Sequence, residues 1–166
     1  MQRRNFLILG SIFGLSPYVK AEEHTELSRE FEKVKSLIAA VQEHMFPAGN
    51  KIPSAKDMDA NRFLFEAISH NCYDKDIRAF VIEGAKEFKN STKGDFLTMN
   101  KKDKEKALRE YEQSSYGQSW LSRIMVITLE GIFSDPIYGS NKKEAGWKAL
   151  NSYGGFPRAK SRYIQL

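Results

Sequence analysis

Side chains that could hold a metal or a redox group are few in this chain. It contains one cysteine, Cys72, and three histidines, His24, His44 and His70. A single cysteine excludes an internal disulfide, the Cys-x-x-Cys-His attachment site of c-type haem and a cysteine-only iron–sulfur cluster. The histidines are scattered, and none has a second histidine at the spacing of a metal-binding helix. We therefore expect no metal site and no catalytic residue in this chain, and Cys72 to be a free thiol, either buried or at an interface.

An independent enzyme is the alternative interpretation. Two carboxylates at a suitable separation can do acid–base chemistry, but no pair stands out among the 21 acidic residues. The sequence lacks a nucleophile elbow and a His-x-x-x-His pair. Its Gly154-Gly155 pair precedes Phe156-Pro157 and not a helix, so it does not match a phosphate-binding loop.

The N-terminus has the layout of a secretory signal. Arg3 and Arg4 precede the apolar run Phe6–Val19, and the small residue Ala21 stands just before two acidic residues. The apolar run is shorter than the roughly 20 residues that span a bilayer. We expect residues 1–21 to be an export signal that is cleaved after Ala21; an uncleaved anchor and a buried terminal helix are the alternatives.

The pair Arg3-Arg4 followed by Phe6-Leu7 resembles the twin-arginine export signal, which implies export in the folded state. Gln2 and Ile8 stand where that signal usually has Ser or Thr and Lys, so an ordinary secretory signal is the alternative. Folded export matters most when a cofactor must be inserted before the protein crosses the membrane.

The positive charge of the chain comes partly from this segment. The formal net charge is +5, and removal of residues 1–21 takes away three basic residues and no acidic one, which leaves +2. The main basic run, Lys101–Lys106, is interrupted by Asp103 and Glu105 and is typical of a solvated helix face. Clustered phosphate contacts are therefore not indicated, and we expect no nucleic-acid partner.

The spacing of apolar residues predicts an all-α fold, a small helical bundle of about five helices in one domain of residues 22–166. Apolar residues recur every three or four positions, and no segment shows sustained alternation or a hairpin signal. The last predicted helix is apolar on most sides, so it is expected to be the central helix of the bundle or half of a contact with a partner. The predicted helices are Glu26–Met45, Lys56–His70, Asp74–Phe88, Lys101–Gln113 and Gly117–Phe133.

From Ser134 onward the pattern changes to turns and aromatic residues. Asp135-Pro136 and Tyr138-Gly139 are turn formers, because proline fixes φ and glycine permits a positive φ. The segment also contains Trp147 and further aromatic residues, which a short irregular segment cannot easily bury by itself. It is therefore expected to lie either on the helical bundle as a cap or against another protein, where Trp and Tyr are common anchors.

This segment resembles a known family. Residues 128–141, with the string Phe-Ser-Asp-Pro-Ile-Tyr-Gly-Ser-Asn at their end, are followed by Gly146-Trp147-Lys148 and then by residues 153–157. The pattern resembles the gluconate 2-dehydrogenase subunit 3 family, the small or gamma subunit of bacterial membrane-associated flavin-dependent sugar and sugar-acid dehydrogenases. Phe46-Pro47 and the Ile-Pro-Ser-Ala string at 52–55 resemble a loop of the same family. The chain departs from the pattern at Ser140, where the family often has glycine, and by a longer return to the final proline.

The resemblance implies partners and a location. Such subunits accompany a large catalytic subunit of the glucose–methanol–choline type that carries FAD, and often a cytochrome c subunit that passes electrons to the membrane quinone pool. The small subunit has no known catalytic residue and no cofactor of its own, and its twin-arginine signal is thought to carry the flavin subunit across the membrane. The resemblance thus implies a periplasmic protein, held at the inner membrane through its complex.

Eight residues of the last predicted helix and the following turn form the candidate partner-binding site. We expect Tyr138 and Trp147 to be anchors, and Glu130 and Asp135 to fix the turn by accepting backbone N–H groups. The alternative is that these side chains only lock the turn onto the bundle. A stand-alone periplasmic binding or assembly factor is the alternative function. The candidate residues are Glu130, Phe133, Asp135, Pro136, Tyr138, Gly139, Gly146 and Trp147.

Overall fold

The computed structural model describes residues 26–70 and 73–162. The predicted export signal, with Arg3, Arg4, Phe6 and Leu7, lies outside the described residues, as does Cys72. The chain divides into two compact units, with the boundary between Lys33 and Val34. In the first unit, residues 26–32 are helical.

The second unit contains six described α-helices and no described strand, which confirms the predicted all-α class. Three short 3-10 turns, Asp95–Leu97, Pro136–Tyr138 and Lys142–Glu144, join or follow them. Within the described ranges, no helix is long and apolar enough to cross a membrane. The helices are α1 Lys35–Met45, α2 Ala60–Ser69, α3 Lys75–Ser91, α4 Lys101–Glu112, α5 Ser115–Phe133 and α6 Ala145–Ala149.

The structure corrects two predicted helices, Glu26–Met45 and Lys56–His70, and extends the predicted helix Asp74–Phe88 to Ser91. The predicted helix Glu26–Met45 is interrupted at residues 33–34, where Val34 has a φ of −119°, outside the helical range. The second helix begins at Ala60 and not at Lys56, because Asp59 has a left-handed φ of 57° and separates a run of turns from the helix. The predicted inward face of α2 is confirmed by the buried side chains of Phe63, Leu64, Ala67 and Ile68.

Helix α5 is the central helix of the second unit, as predicted. It contacts α1, α2, α3 and α4. Ser114 caps the N-terminus of α5, because its hydroxyl accepts a hydrogen bond from the backbone N–H of Gly117 at 2.9 Å. The side of α5 that carries Met125 and Val126 remains exposed. Its buried residues are Gly117, Trp120, Leu121, Ile124, Ile127, Thr128, Gly131 and Ile132.

An aromatic cluster joins α3, α4 and α5. The indole of Trp120 is fully buried and donates to the carbonyl oxygen of Val81 at 3.0 Å. The ring of Phe88 lies with its centroid 5.8 Å from that of Trp120 and 4.9 Å from that of Tyr111. Gly84 permits this packing, because a Cβ at that position would lie only 2.1 Å from Cδ1 of Trp120. The three helices therefore pack closely through one glycine and three rings.

A buried polar network joins α1, α2 and α5. The side-chain amide of Gln42, 1% exposed, donates to Oγ1 of Thr128 at 2.9 Å and accepts from Nδ2 of Asn61 at 3.1 Å. Thr128 in turn donates to the carbonyl oxygen of Ile124 at 2.6 Å. Because buried polar groups cost free energy unless they are paired, the network favours one register of these three helices.

We expect Gln42→Leu to lower the free energy of unfolding by about 1–3 kcal/mol, because Thr128 and Asn61 each lose a partner. The double variant Gln42→Leu/Thr128→Val removes both sides of the central bond. It should cost less than the two single variants together, by on the order of 0.5–3 kcal/mol. Urea unfolding of the full-length chain measures these values. Additive losses would mean that the hydrogen bond between Gln42 and Thr128 contributes nothing to stability.

Candidate functional site

The turn after α5 is built on Asp135. Its carboxylate accepts the backbone N–H of Ile137 at 3.0 Å and so caps the 3-10 turn Pro136–Tyr138, in which Pro136 is the first residue. This confirms the expected backbone contact of Asp135. Gly139 ends the turn with a φ of 82°. A Cβ at Gly139 would lie 2.0 Å from Nη2 of Arg62, so the turn packs directly against an arginine of α2.

Asn141 holds the next part of the segment onto the end of α5. Its side chain is fully buried, donates to the carbonyl oxygen of Ser134 at 2.7 Å and accepts the backbone N–H of Gly146 at 2.8 Å. Its φ is 46°, a left-handed conformation that asparagine tolerates better than most residues. The hydroxyl groups of Ser134 and Ser140 lie 2.7 Å apart beside it. This one side chain therefore links the helix end, the turn and the start of α6.

Gly146 and Trp147 complete the attachment. A Cβ at Gly146 would lie 2.2 Å from the carbonyl oxygen of Ile132, so only glycine allows this approach of α6 to α5. The indole N–H of Trp147 donates to the carbonyl oxygen of Phe133 at 2.7 Å. The Phe133 carbonyl group lies in the last turn of α5, where carbonyl groups have no partner within the helix. The segment thus satisfies carbonyl groups at the end of α5, that of Phe133 through Trp147 and that of Ser134 through Asn141.

Arg158 closes the segment from its far side. Its guanidinium lies over the ring of Trp147, 4.3 Å from the centroid, and donates to Oε1 of Glu144 at 2.9 Å. Its Nε also lies 3.8 Å from Oδ2 of Asp135. One arginine therefore joins the capped turn, the strained residue before α6, whose φ is 60°, and the tryptophan.

Tyr138 faces α2. Its ring meets the ring of Phe63 edge to face, with a centroid distance of 6.4 Å, and its side chain is half-buried. The neighbouring Arg62 pairs with Asp59 at 3.0 Å and with Glu66 at 3.4 Å. Tyr138 thus contributes to the contact between the turn and α2.

Glu130 lies one turn before the end of α5 and belongs to a different cluster. Its electrostatic neighbours are Arg123 and Tyr73, and the Tyr73 hydroxyl is hydrogen-bonded to the Arg123 side chain. Partial burial of the Glu130 carboxyl group against its neighbours raises its pKa, and the positive charge of Arg123 opposes that rise. Burial of the Tyr73 hydroxyl group, together with the negative charge of Glu130, raises the pKa of Tyr73.

The raised pKa of Glu130 predicts a small pH dependence of stability. The folded chain binds this proton more tightly than the unfolded chain, so the free energy of unfolding falls as the pH rises from the ordinary value of 4.5 through the raised pKa. Glu130→Gln should remove this loss and be more stable than the wild type near neutral pH, by a few tenths of a kcal/mol because the side chain is exposed. Arg123→Met should enlarge the loss. Urea unfolding at pH values of about 4 and 7 measures both; a Gln variant that is less stable at neutral pH contradicts the assignment.

The structure brings seven of the eight predicted residues into one locked segment, which we call the turn segment, residues 133–147. Phe133 takes part through its carbonyl group only, and Glu130 lies outside the segment. Sequence reasoning missed Asn141 and Arg158 as site residues. Asn141 follows Gly139 by two residues within a predicted turn, and asparagine in a turn indicates a residue with a left-handed backbone conformation. No signal marks Arg158, because its partners depend on the path of the chain after α6.

Large apolar side chains are exposed in several places, among them Leu97 at the end of the first 3-10 turn, which is 48% exposed. Leu150, Tyr153 and Phe156 follow α6 and are 50, 74 and 83% exposed, and Met125 and Val126 on α5 are each 42% exposed. Beside Met125, a cleft of about 450 Å³ lies between the end of α1 and helices α4 and α5. Its edge carries His44, whose Nε2 is 2.7 Å from Oε2 of Glu105. Among residues 26–70 and 73–162, no group of three metal-binding side chains comes together.

Comparison with known proteins identifies the family. The family model described as gluconate 2-dehydrogenase subunit 3 matches residues 32–155, which include α1 to α6 and the turn segment. The search of curated proteins and the search of solved structures each found no match. Because the family match covers most of the chain, the expected family is confirmed: this chain belongs to the gluconate 2-dehydrogenase subunit 3 family.

Proposed function

We propose that this chain is a non-catalytic accessory subunit of a flavin-dependent sugar or sugar-acid dehydrogenase. It binds the large catalytic subunit, of the glucose–methanol–choline type, and supports the folded export and maturation of that subunit. Membership of a family of dehydrogenase subunits supports a multi-subunit complex. The substrate is bound by the large subunit, so gluconate, glucose, fructose and sorbitol types all fit this chain.

The observation that carries the proposal is the turn segment within the family match. Strained positions such as the buried Asn141, with a φ of 46°, and Glu144, with a φ of 60°, are held by several hydrogen bonds and by Arg158. Strain of this kind costs of order 1–3 kcal/mol per residue and persists only where the surroundings fix it. A rigid segment beside exposed aromatic side chains is suited to present a docking surface with little loss of entropy on binding.

We place FAD in the partner and not in this chain. A dinucleotide site needs a glycine-rich turn that leads from a strand into a helix, where the helix N-terminus meets the pyrophosphate. The glycine pair of this chain, Gly154-Gly155, lies after α6 in irregular structure and is followed by Phe156-Pro157. These residues do not fit a pyrophosphate. The resemblance implies a cytochrome c subunit as the third component in many such complexes.

The export part of the proposal depends on Arg3 and Arg4. In this proposal the folded pair of subunits crosses the inner membrane on the signal of the small subunit, after FAD has entered the large one. The mature chain is then periplasmic and lies at the inner membrane through its complex.

Export of the large subunit tests the proposed function. In cells that produce both subunits, Arg3→Lys/Arg4→Lys should leave the FAD-containing subunit in the cytoplasm, whereas wild-type chain brings it to the periplasmic side. Fractionation with a dye-reduction assay for sugar oxidation measures this. Gln2→Ala, a change beside the arginine pair, is the matched control and should export normally. Normal export of the large subunit without this chain would contradict the proposal and favour a stand-alone periplasmic factor.

A further inference from the structure

We propose that the aromatic arm, residues 150–156, is the anchor by which this chain docks onto the flavin-carrying subunit. The occupant of this surface is an apolar recess on that subunit with carboxylates at its rim. This inference rests on the proposed function and names the surface and the chemistry of the contact. The residues proposed to bind the partner are therefore Tyr153 and Phe156, in place of Tyr138 and Trp147, which were expected from the sequence.

The arm carries the most exposed aromatic side chains that the structure describes. Tyr153 is 74% and Phe156 83% exposed, and their rings stack with centroids 6.2 Å apart. Leu150, 50% exposed, lies at the start of the arm. Exposing this much apolar area to water is unfavourable, at about 25 cal/mol per Å². Exposed aromatic groups of this kind, flanked by polar residues, mark binding surfaces.

The base of the arm is fixed. A Cβ on Gly154 would lie 2.2 Å from Trp147 and 2.3 Å from Nη1 of Arg158, so the arm backbone packs against both side chains. Trp147 is held by the carbonyl oxygen of Phe133 at 2.7 Å, and Arg158 by Glu144 at 2.9 Å. The two exposed rings therefore project from an ordered support, which lowers the entropy lost on docking.

Tyr138 and Trp147 are already used within the chain. The Trp147 indole donates to Phe133 and its ring is covered by Arg158 and by the backbone of Gly154. The Tyr138 ring packs on Phe63. Both side chains therefore stabilise the arm and the turn from within the chain. More aromatic surface is exposed on Tyr153 and Phe156 than on either of them.

The charge around the arm defines the chemistry of the partner. Residues 142–162 contain six basic residues and one acidic residue. Lys143 and Lys160 are exposed and form no ion pair with any residue that the structure describes. A partner surface with carboxylates at matching positions would pair with these two lysines, so we expect an acidic rim around the apolar recess.

The charge pattern favours a protein over a lipid surface. Recognition of anionic lipid needs clusters of about four to eight basic side chains that reach the membrane. Here Lys142, Lys148, Arg158 and Arg162 pair with carboxylates of the same chain. Two exposed lysines without an ion pair among the described residues, in the same stretch of chain as two stacked rings, are suited to a small, specific protein contact.

The test measures binding of full-length variants to the FAD-loaded large subunit that is produced together with this chain. Tyr153→Ala/Phe156→Ala should weaken binding at least about tenfold, the loss typical when anchors are truncated. Met125→Ala/Val126→Ala removes similarly exposed apolar groups from α5 and is the matched control, with unchanged affinity expected. Lys143→Glu/Lys160→Glu should slow association and reduce its dependence on salt. Circular dichroism of each variant checks that the helices remain.

The outcomes separate this inference from the proposed function. If the wild-type chain binds the flavoprotein and the arm variant binds equally well, the arm is not the anchor, and the proposed function stands. If the wild-type chain binds no flavoprotein, both fail. Sedimentation with vesicles of phosphatidylglycerol and phosphatidylethanolamine tests the lipid alternative. Binding of the wild-type chain to these vesicles that the arm variant loses would overturn the protein contact in favour of the membrane.

Discussion

Replacing Trp120 by alanine is expected to lower the free energy of unfolding by about 3–5 kcal/mol, the largest effect of any single change discussed for this chain. The side chain is fully buried between α3, α4 and α5, and it contacts the rings of Phe88 and Tyr111. The change leaves a large cavity and removes the hydrogen bond to Val81. Because native proteins are stable by only about 5–15 kcal/mol, the variant should be partly unfolded at growth temperature. Urea unfolding followed by circular dichroism measures the loss.

Two matched variants separate the causes of this loss. Trp120→Phe keeps much of the ring volume and removes the hydrogen bond at 3.0 Å to Val81, so it should cost less than the alanine variant. Gly84→Ala keeps the tryptophan and adds one methyl group that would lie 2.1 Å from it. Overpacking of this kind costs about 1–3 kcal/mol, against a gain of about 1 kcal/mol from the better helix former. If Gly84→Ala stabilises the chain, the close packing of α3 on α5 is wrong.

The second large effect is expected for Asn141→Ala, with a loss of about 2–4 kcal/mol in the local stability of the turn segment. The variant leaves the carbonyl group of Ser134 and the N–H of Gly146 without their partner in a buried site. It also forces alanine into a φ of 46°, which a β-carbon disfavours. Hydrogen exchange should show a faster rate at the Gly146 amide and at the Trp147 indole, while the amides of α3 remain protected.

Asn141→Gly is the control for the backbone part of this effect. Glycine adopts a positive φ without strain, so this variant should recover about 1 kcal/mol of the alanine loss and retain the loss from the missing hydrogen bonds. Equal losses for the two variants would place the whole effect in the side-chain contacts. Unchanged exchange at Gly146 in either variant would contradict the role of Asn141.

The core of the fold follows from the spacing of apolar residues. Helix α5, apolar on most sides, was predicted to be either the central helix or half of a contact with a partner, and the structure shows it at the centre. Helix α2 was predicted to bury Phe63, Leu64, Ala67 and Ile68, and the structure confirms this. The start of α2 was not predictable, because it is set by the left-handed φ of Asp59. Aspartate is one of the few residue types other than glycine that adopt this conformation. The interruption of the first predicted helix at residues 33–34 was also not predictable, because apolar residues continue at helical spacing across it.

The turn segment was predictable in part. An aspartate before a proline indicates a capped turn, and Asp135 forms one. The prediction that this segment is irregular is wrong for Ala145–Ala149, which form α6. Arg158 could not be predicted, because its contacts join residues distant in sequence and arise only once the chain has folded back over Trp147. The spacing of residues does not encode that return path.

Trp120 and Asn141 stabilise different parts of the structure. Trp120 holds the helices together, and Asn141 holds the turn segment onto the end of α5. If docking uses the aromatic arm, Asn141→Ala should weaken binding without unfolding the chain, whereas Trp120→Ala should weaken binding only as the helices are lost. Comparing affinity with helix content for the two variants therefore separates local from global effects.

The central claim is that this chain is the small subunit of a flavoprotein complex, and purification from its own cells tests it most directly. The full-length chain, tagged at its C-terminus, is captured from the periplasmic and membrane fractions, and the eluate is examined by absorbance and by gel electrophoresis. We predict a yellow eluate with flavin absorbance and a second, larger polypeptide in a fixed ratio to the chain. A colourless eluate with this chain alone, from fractions in which the flavin-dependent dehydrogenase is active, would contradict the claim.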